Sequence, residues 1–113
     1  MLSPHAGAVL PAAVDRINNS IIRFVTEDTP DIYSILRSFY YDISGKVVTH
    51  HLEILFKTTE VSHMLYGSDV PYATVASALV TAKELDDTNK ITDADRKLIY
   101  YENAKKLLGL SLD

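Results

Sequence analysis

Two short runs of aromatic and branched residues, each followed by a segment of helical period, constrain this chain more than any other feature. Ser38-Phe39-Tyr40-Tyr41-Asp42-Ile43-Ser44-Gly45 reads as a buried strand that closes in small, turn-forming residues. After it, Val48, Leu52, Leu55 and Phe56 stand at the spacing of an amphipathic helix from about Val47 to Thr58. His63-Met64-Leu65-Tyr66-Gly67 is a second compact strand closed by glycine. Ser68-Asp69-Val70-Pro71 leads from it into a helix that carries Val75, Ala78, Leu79, Ala82 and Leu85 on one face. Strands separated by helices pair in parallel as βαβ units, because a parallel crossover needs a long connection.

The flanking segments are helical. Val14, Ile17, Ile21, Ile22, Phe24 and Val25 recur at helical spacing between Leu10 and Val25, with Pro11 in the tolerated first turn. Thr29 reads as an N-cap and Pro30 as the first position of a short helix through about Arg37. The polar stretch Asp86 to Lys90 ends the helix that starts near Val75. Thr92-Asp93-Ala94-Asp95 has the form of a capping box, opening a helical segment through Leu107 or Leu108 that Gly109 terminates. Met1 stands only four residues before His5, which leaves almost no strand ahead of that loop. About three strands are few for a parallel sheet covered on both faces, so the expectation is a cut edge and a single partial domain over residues 1–113.

Composition narrows the function classes. At 113 residues and 47% hydrophobic, the chain is one domain at most and can bury a core. With no cysteine it has no disulfide, no thiolate metal site and no cysteine nucleophile. Eleven basic against 15 acidic residues, without a basic cluster, argue against nucleic acid as a partner. The least charged segment, Val70 to Ala82, is too short for a membrane span and contains Pro71. MLSPHAGAVLP lacks the basic and long apolar regions of a signal peptide, so a cytoplasmic location is expected.

In parallel α/β architectures functional residues collect at the C-terminal ends of strands. Those ends carry His5, Asp42 and Asp69. For each a plain reading stands beside the functional one: a loop histidine capping the next helix, a carboxylate satisfying backbone donors where a strand ends, and a turn or cap aspartate. The plain reading is favoured for Asp42, and for Asp69 taken alone.

Four segments together resemble the C-terminal part of the amidohydrolase-related metal-dependent decarboxylases, the relatives of aminocarboxymuconate-semialdehyde, resorcylate and 6-methylsalicylate decarboxylases. They are His5-Ala6-Gly7 with Leu10-Pro11 and Arg16-Ile17; Phe39-Tyr40-Tyr41-Asp42; Leu65-Tyr66-Gly67-Ser68-Asp69-Val70-Pro71; and Asn103 through Leu110. The resemblance implies the last three strands, with their helices, of a (β/α)8 barrel. It implies a divalent metal, zinc or manganese, with Asp69 as one ligand. It makes His5 the histidine that does acid–base or polarising work beside the metal. It makes Arg16 the arginine that binds a substrate carboxylate, in certain dimers across to the neighbouring subunit's site. The implied reaction is decarboxylation of a small aromatic or unsaturated acid, with hydrolysis of a small ester or lactone as the alternative. A metal suits such chemistry by polarising a carboxylate-bearing substrate, and a guanidinium fork suits a carboxylate.

The departures set further expectations. No His-x-His pair occurs, and Ala8 and Val70 stand where many relatives carry glycine and an aromatic residue. His50 and His51 read as a solvated helix face, and His63 begins a strand at the end away from the chemistry. One recognisable ligand is too few for tight metal binding by this chain alone. An isolated monomer is expected to be unstable, and its partners to be a second copy or a complementary barrel fragment. A catalytically inactive, helix-rich interaction module remains the alternative from another class.

Overall fold

The computed structural model describes residues 1–24 and 28–111. Three strands, β1 (Leu2–Ser3), β2 (Tyr40–Asp42) and β3 (Met64–Leu65), form one parallel sheet in the order β1-β2-β3. Among the described residues the α-helices are α1 (Leu10–Phe24), α2 (Ile32–Arg37), α3 (His51–Thr58), α4 (Val75–Asp87), α5 (Asp93–Lys97) and α6 (Asn103–Leu107). The expected α/β class with parallel pairing is present. Leu2 pairs with Tyr40, Ser3 with Tyr41, Tyr41 with Met64 and Asp42 with Leu65.

Both main strands are shorter than the apolar runs that suggest them. β2 covers 40–42 rather than 38–45, and β3 covers 64–65 rather than 63–67. A ladder lasts only as long as its neighbours, and β1 is two residues long. Pairing continues past it in one place, where the Ile43 amide donates to the Leu65 carbonyl at 2.8 Å. Tyr41, Leu52, Leu55, Met64 and Ile99 are fully buried and form the centre of the core. The Tyr41 hydroxyl donates to the Leu36 carbonyl at 2.7 Å, so this buried phenol is satisfied. Burial pushes its pKa above the ordinary value.

The helix boundaries follow side-chain capping. α2 starts after Asp31, not Thr29, because the Asp31 carboxylate accepts from the Tyr33 and Ser34 amides at 3.1 and 3.3 Å. α3 begins at His51 rather than near Val47. Thr92 and Asp95 make the expected capping box, with the Asp95 amide donating to Thr92 Oγ1 and the Thr92 amide donating to Asp95 Oδ2. Gly109, at φ +64°, ends α6: Leu110 N donates to Lys105 O and Gly109 N to Lys106 O, a Schellman pair. Between α5 and α6, residues Leu98–Glu102 wind as a π-helix, which sequence periodicity does not reveal.

Two expected apolar faces are only partly inward. On α4, Ala78 and Leu85 are buried while Leu79 is 66% exposed, being about a quarter turn away from the stripe they define. On α1, Phe24 is 84% exposed, and Val25 lies outside the described residues. The chain exposes 7599 Å², against about 6,200 Å² for a compact monomer of its 12.6 kDa mass. Its Cα radius of gyration is 15.5 Å, against about 13 Å for a compact chain of this length. Among the described residues, no helix is long and apolar enough to cross a membrane.

Candidate functional site

The parallel register sets the C-terminal ends of all three strands along one edge of the sheet. His5 follows β1, Asp42 closes β2, and Asp69 lies in the loop after β3. Sequence reasoning places these three residues at that edge, and the structure does the same.

His5 belongs to a tightly wound turn. His5, Ala6, Gly7 and Ala8 all have positive φ, at 48°, 55°, 77° and 50°. Three non-glycine residues in the left-handed region are costly, and such strain collects at functional sites. The turn is held by Gly7 N donating to Pro4 O at 3.0 Å and Ala8 N to His5 O at 2.8 Å. Gly7 is needed for contact as well as conformation, since a Cβ there would meet Tyr41 Cε1 at 2.8 Å.

The side chain that meets His5 is one that sequence reasoning missed. Ser44, only 3% exposed, places its Oγ 3.1 Å from His5 Nδ1. Asp42 holds Ser44 in place, its Oδ1 accepting from the Ser44 amide at 2.7 Å. That bond is the plain reading of Asp42, a strand-end carboxylate satisfying a backbone donor. The same carboxylate also packs on the β3 exit, where a Cβ on Gly67 would lie 2.6 Å from Asp42 Oδ1. A contiguous set, His5, Ser44, Asp42 and Gly67, therefore joins the turn after β1 to the loop that carries Asp69. The available sequence signal was period two: Asp42 and Ser44 share a side of the extended chain.

Asp69 is half-buried at φ +61°, and its carbonyl accepts from Ala73 N at 2.7 Å. Among the described residues its carboxylate accepts no hydrogen bond from the chain. Arg16 is exposed on α1, and among the described residues its side chain makes no hydrogen bond to His5 or Asp69. Among the described residues its guanidinium makes no ion pair. His50 is exposed as expected, but His51 is not on a solvated face: its Nε2 is shut from solvent without a hydrogen-bond partner among the described residues. His63 sits just ahead of β3, at the opposite end of the sheet, donating Nδ1–H to Phe39 O at 3.1 Å and stacking on Tyr40 at 4.5 Å between centroids. Among the described residues, no three His, Asp or Glu side chains form a group that could hold a metal ion. The donor set present thus amounts to one free carboxylate and does not by itself fit a divalent metal.

Known proteins share this arrangement of strands and helices. A model of the amidohydrolase family matches residues 11–110. The chain belongs to the amidohydrolase family. It is 37% identical over 76 residues to decarboxylase macB of Penicillium terrestre, covering 63% of this chain and 22% of macB. A solved amidohydrolase II superposes with a TM-score of 0.87 at 31% identity, over 96% of this chain and 35% of the other. A dihydroxybenzoic acid decarboxylase from a Polaromonas species, solved with manganese and the inhibitor 2-nitroresorcinol, superposes with a TM-score of 0.78 at 25% identity, over 99% and 34%. The chain spans about a third of the length of these solved relatives.

Proposed function

We propose that this chain supplies the last three strands, with their helices, of a (β/α)8 amidohydrolase barrel that decarboxylates a small aromatic or unsaturated carboxylic acid. The observation that carries the reading is His5 and Asp69 held at the C-terminal edge of one parallel sheet, in a chain matching this family over residues 11–110. Similarity to macB and to the Polaromonas decarboxylase supports decarboxylation over other reactions of the family.

In this reading Asp69 contributes one carboxylate to a manganese or zinc site whose other ligands come from outside the described residues. The metal would polarise the substrate's oxygens. His5 holds the proton delivered to the carbon from which carbon dioxide departs, and Arg16 engages a substrate carboxylate through two parallel hydrogen bonds. The partner is the remainder of the barrel or a second copy of the chain. The excess exposed surface supports such a partner.

The test is a chimera in which this chain replaces the matching third of the Polaromonas decarboxylase, assayed for carbon dioxide release from dihydroxybenzoates with manganese. Release that Asp69→Asn or His5→Ala lowers by at least a hundredfold, with unchanged circular dichroism, supports the reading. A folded chimera that instead cleaves small esters or lactones favours hydrolysis. A folded chimera without either activity favours the inactive interaction module.

A further inference from the structure

We propose that Ser44 is a positioning residue that fixes the tautomer of His5, holding Nδ1 as acceptor and leaving the ring proton on Nε2. The hydrogen bonds around Ser44 carry the inference. The Ser44 amide is satisfied by Asp42 Oδ1 at 2.7 Å, and among the described residues the hydroxyl has His5 Nδ1, at 3.1 Å, as its single partner. Ser44 is 3% exposed, so its hydroxyl hydrogen has no ready access to solvent. If Nδ1 carried the proton, the hydroxyl would accept and its own hydrogen would be left without an acceptor, a costly arrangement for a buried group. With Nδ1 unprotonated, Oγ–H donates, and the amide and hydroxyl hydrogens of Ser44 both have acceptors.

The consequence is chemical. A neutral His5 in this tautomer presents Nε2–H as a donor, suited to an anionic oxygen of a carboxylate or phenolate or to proton delivery. It is not set up as a metal ligand, because a neutral imidazole that ligates through Nε2 must carry its proton on Nδ1. The role of His5 in the reaction rests on the function proposed above, whereas its tautomer does not.

The test is a long-range proton–nitrogen spectrum of the full chain, with histidine-selective nitrogen-15 labelling, at about pH 8.5, above the ordinary histidine range. His63 is an internal control, since its Nδ1 faces the Phe39 carbonyl at 3.1 Å and must donate. We expect His5 to show a pyridine-type Nδ1 and pyrrole-type Nε2, the reverse of His63. In Ser44→Ala the minor Nδ1–H form of His5 should rise roughly fivefold, the factor set by a hydrogen bond of about 1 kcal/mol, and Ser44→Thr should restore the original pattern. A His5 protonated on Nδ1 in the unmodified chain overturns the proposal, as does an unchanged His5 pattern in Ser44→Ala. The unmodified spectrum decides even if the alanine variant does not fold. An inactive chimera would count against the function and leave the tautomer read from this spectrum unaffected.

Discussion

The Asp42 carboxylate fills the space that any side chain at position 67 would need: a Cβ there would stand 2.6 Å from Asp42 Oδ1 and 2.9 Å from its Cγ. Gly67→Ala must therefore displace Asp42 and, through it, the Ser44 amide. We expect a loss of about 1–3 kcal/mol in urea unfolding, typical of an added methyl in a filled space. A Cβ at position 45 would meet nothing within 4 Å, but Gly45 sits at φ +74°, so Gly45→Ala should cost only about 1 kcal/mol. A loss below about 1 kcal/mol at position 67 would contradict the packing described there.

Asn103 anchors the C-terminal helices to the start of β3. Only 4% exposed, it donates through Nδ2 to Val61 O at 2.7 Å and Met64 O at 2.8 Å. The π-helical segment adds a second tie, with Tyr66 N donating to Ile99 O at 2.9 Å. Asn103→Ala takes this donor from the buried Met64 carbonyl, whereas Val61 O keeps the Met64 amide, and should destabilise the chain by about 1–3 kcal/mol in chemical denaturation. A change below about 0.5 kcal/mol would show that solvent replaces the amide.

The capping box at Thr92 makes stability depend on acid. The Thr92 amide, and then its hydroxyl, hold the Asp95 carboxyl below its ordinary value of 3.8. A depressed folded pKa means that the stabilisation is fully present above the unfolded value and is lost as pH falls through the lower folded one. Asp95→Asn should therefore be less stable than the unmodified chain at about pH 6, with the gap closing as pH falls through the lowered folded pKa. A gap independent of pH in urea titrations would remove the charge from this account of the cap.

The surface excess predicts association. Leu2 and Leu79 are exposed at 54% and 66%, and β1 and β3 are the edges of the three-stranded sheet. Unpaired strand edges and exposed apolar side chains recruit partners. The urea midpoint of the isolated chain should rise with protein concentration between about 1 and 100 μM, in step with dimer or higher species in sedimentation. A cooperative transition with no such dependence would identify a self-sufficient monomer.

Much of the architecture was legible in the sequence because it rests on local chemistry. The alternation of strand-like runs with helical periods gives the parallel sheet, Thr92 and Asp95 give their cap, and Gly109 gives the helix stop. Strand lengths were not legible, since they depend on neighbours far away in the chain, as Tyr40 and Leu2 are. At α2, Thr29 and Asp31 are both good cap residues, and only the folded backbone decides which reaches the free amides. At the candidate site, strand-end position pointed to His5, Asp42 and Asp69, but Ser44 looked like a turn residue. Its meeting with His5 across 39 residues is a product of register. The inward turn of His51 was hidden for the same reason.

Metal content bears most directly on the claim that this chain brings one ligand, Asp69, to a site completed from elsewhere. The purified chain would be dialysed against manganese and against zinc, then against metal-free buffer, and its retained metal measured against protein mass. Well below one ion per chain is the expected result, since among the described residues no three ligating side chains come together. One ion held per chain, lost on Asp69→Asn, would contradict it and place a complete site within these residues or between copies of the chain.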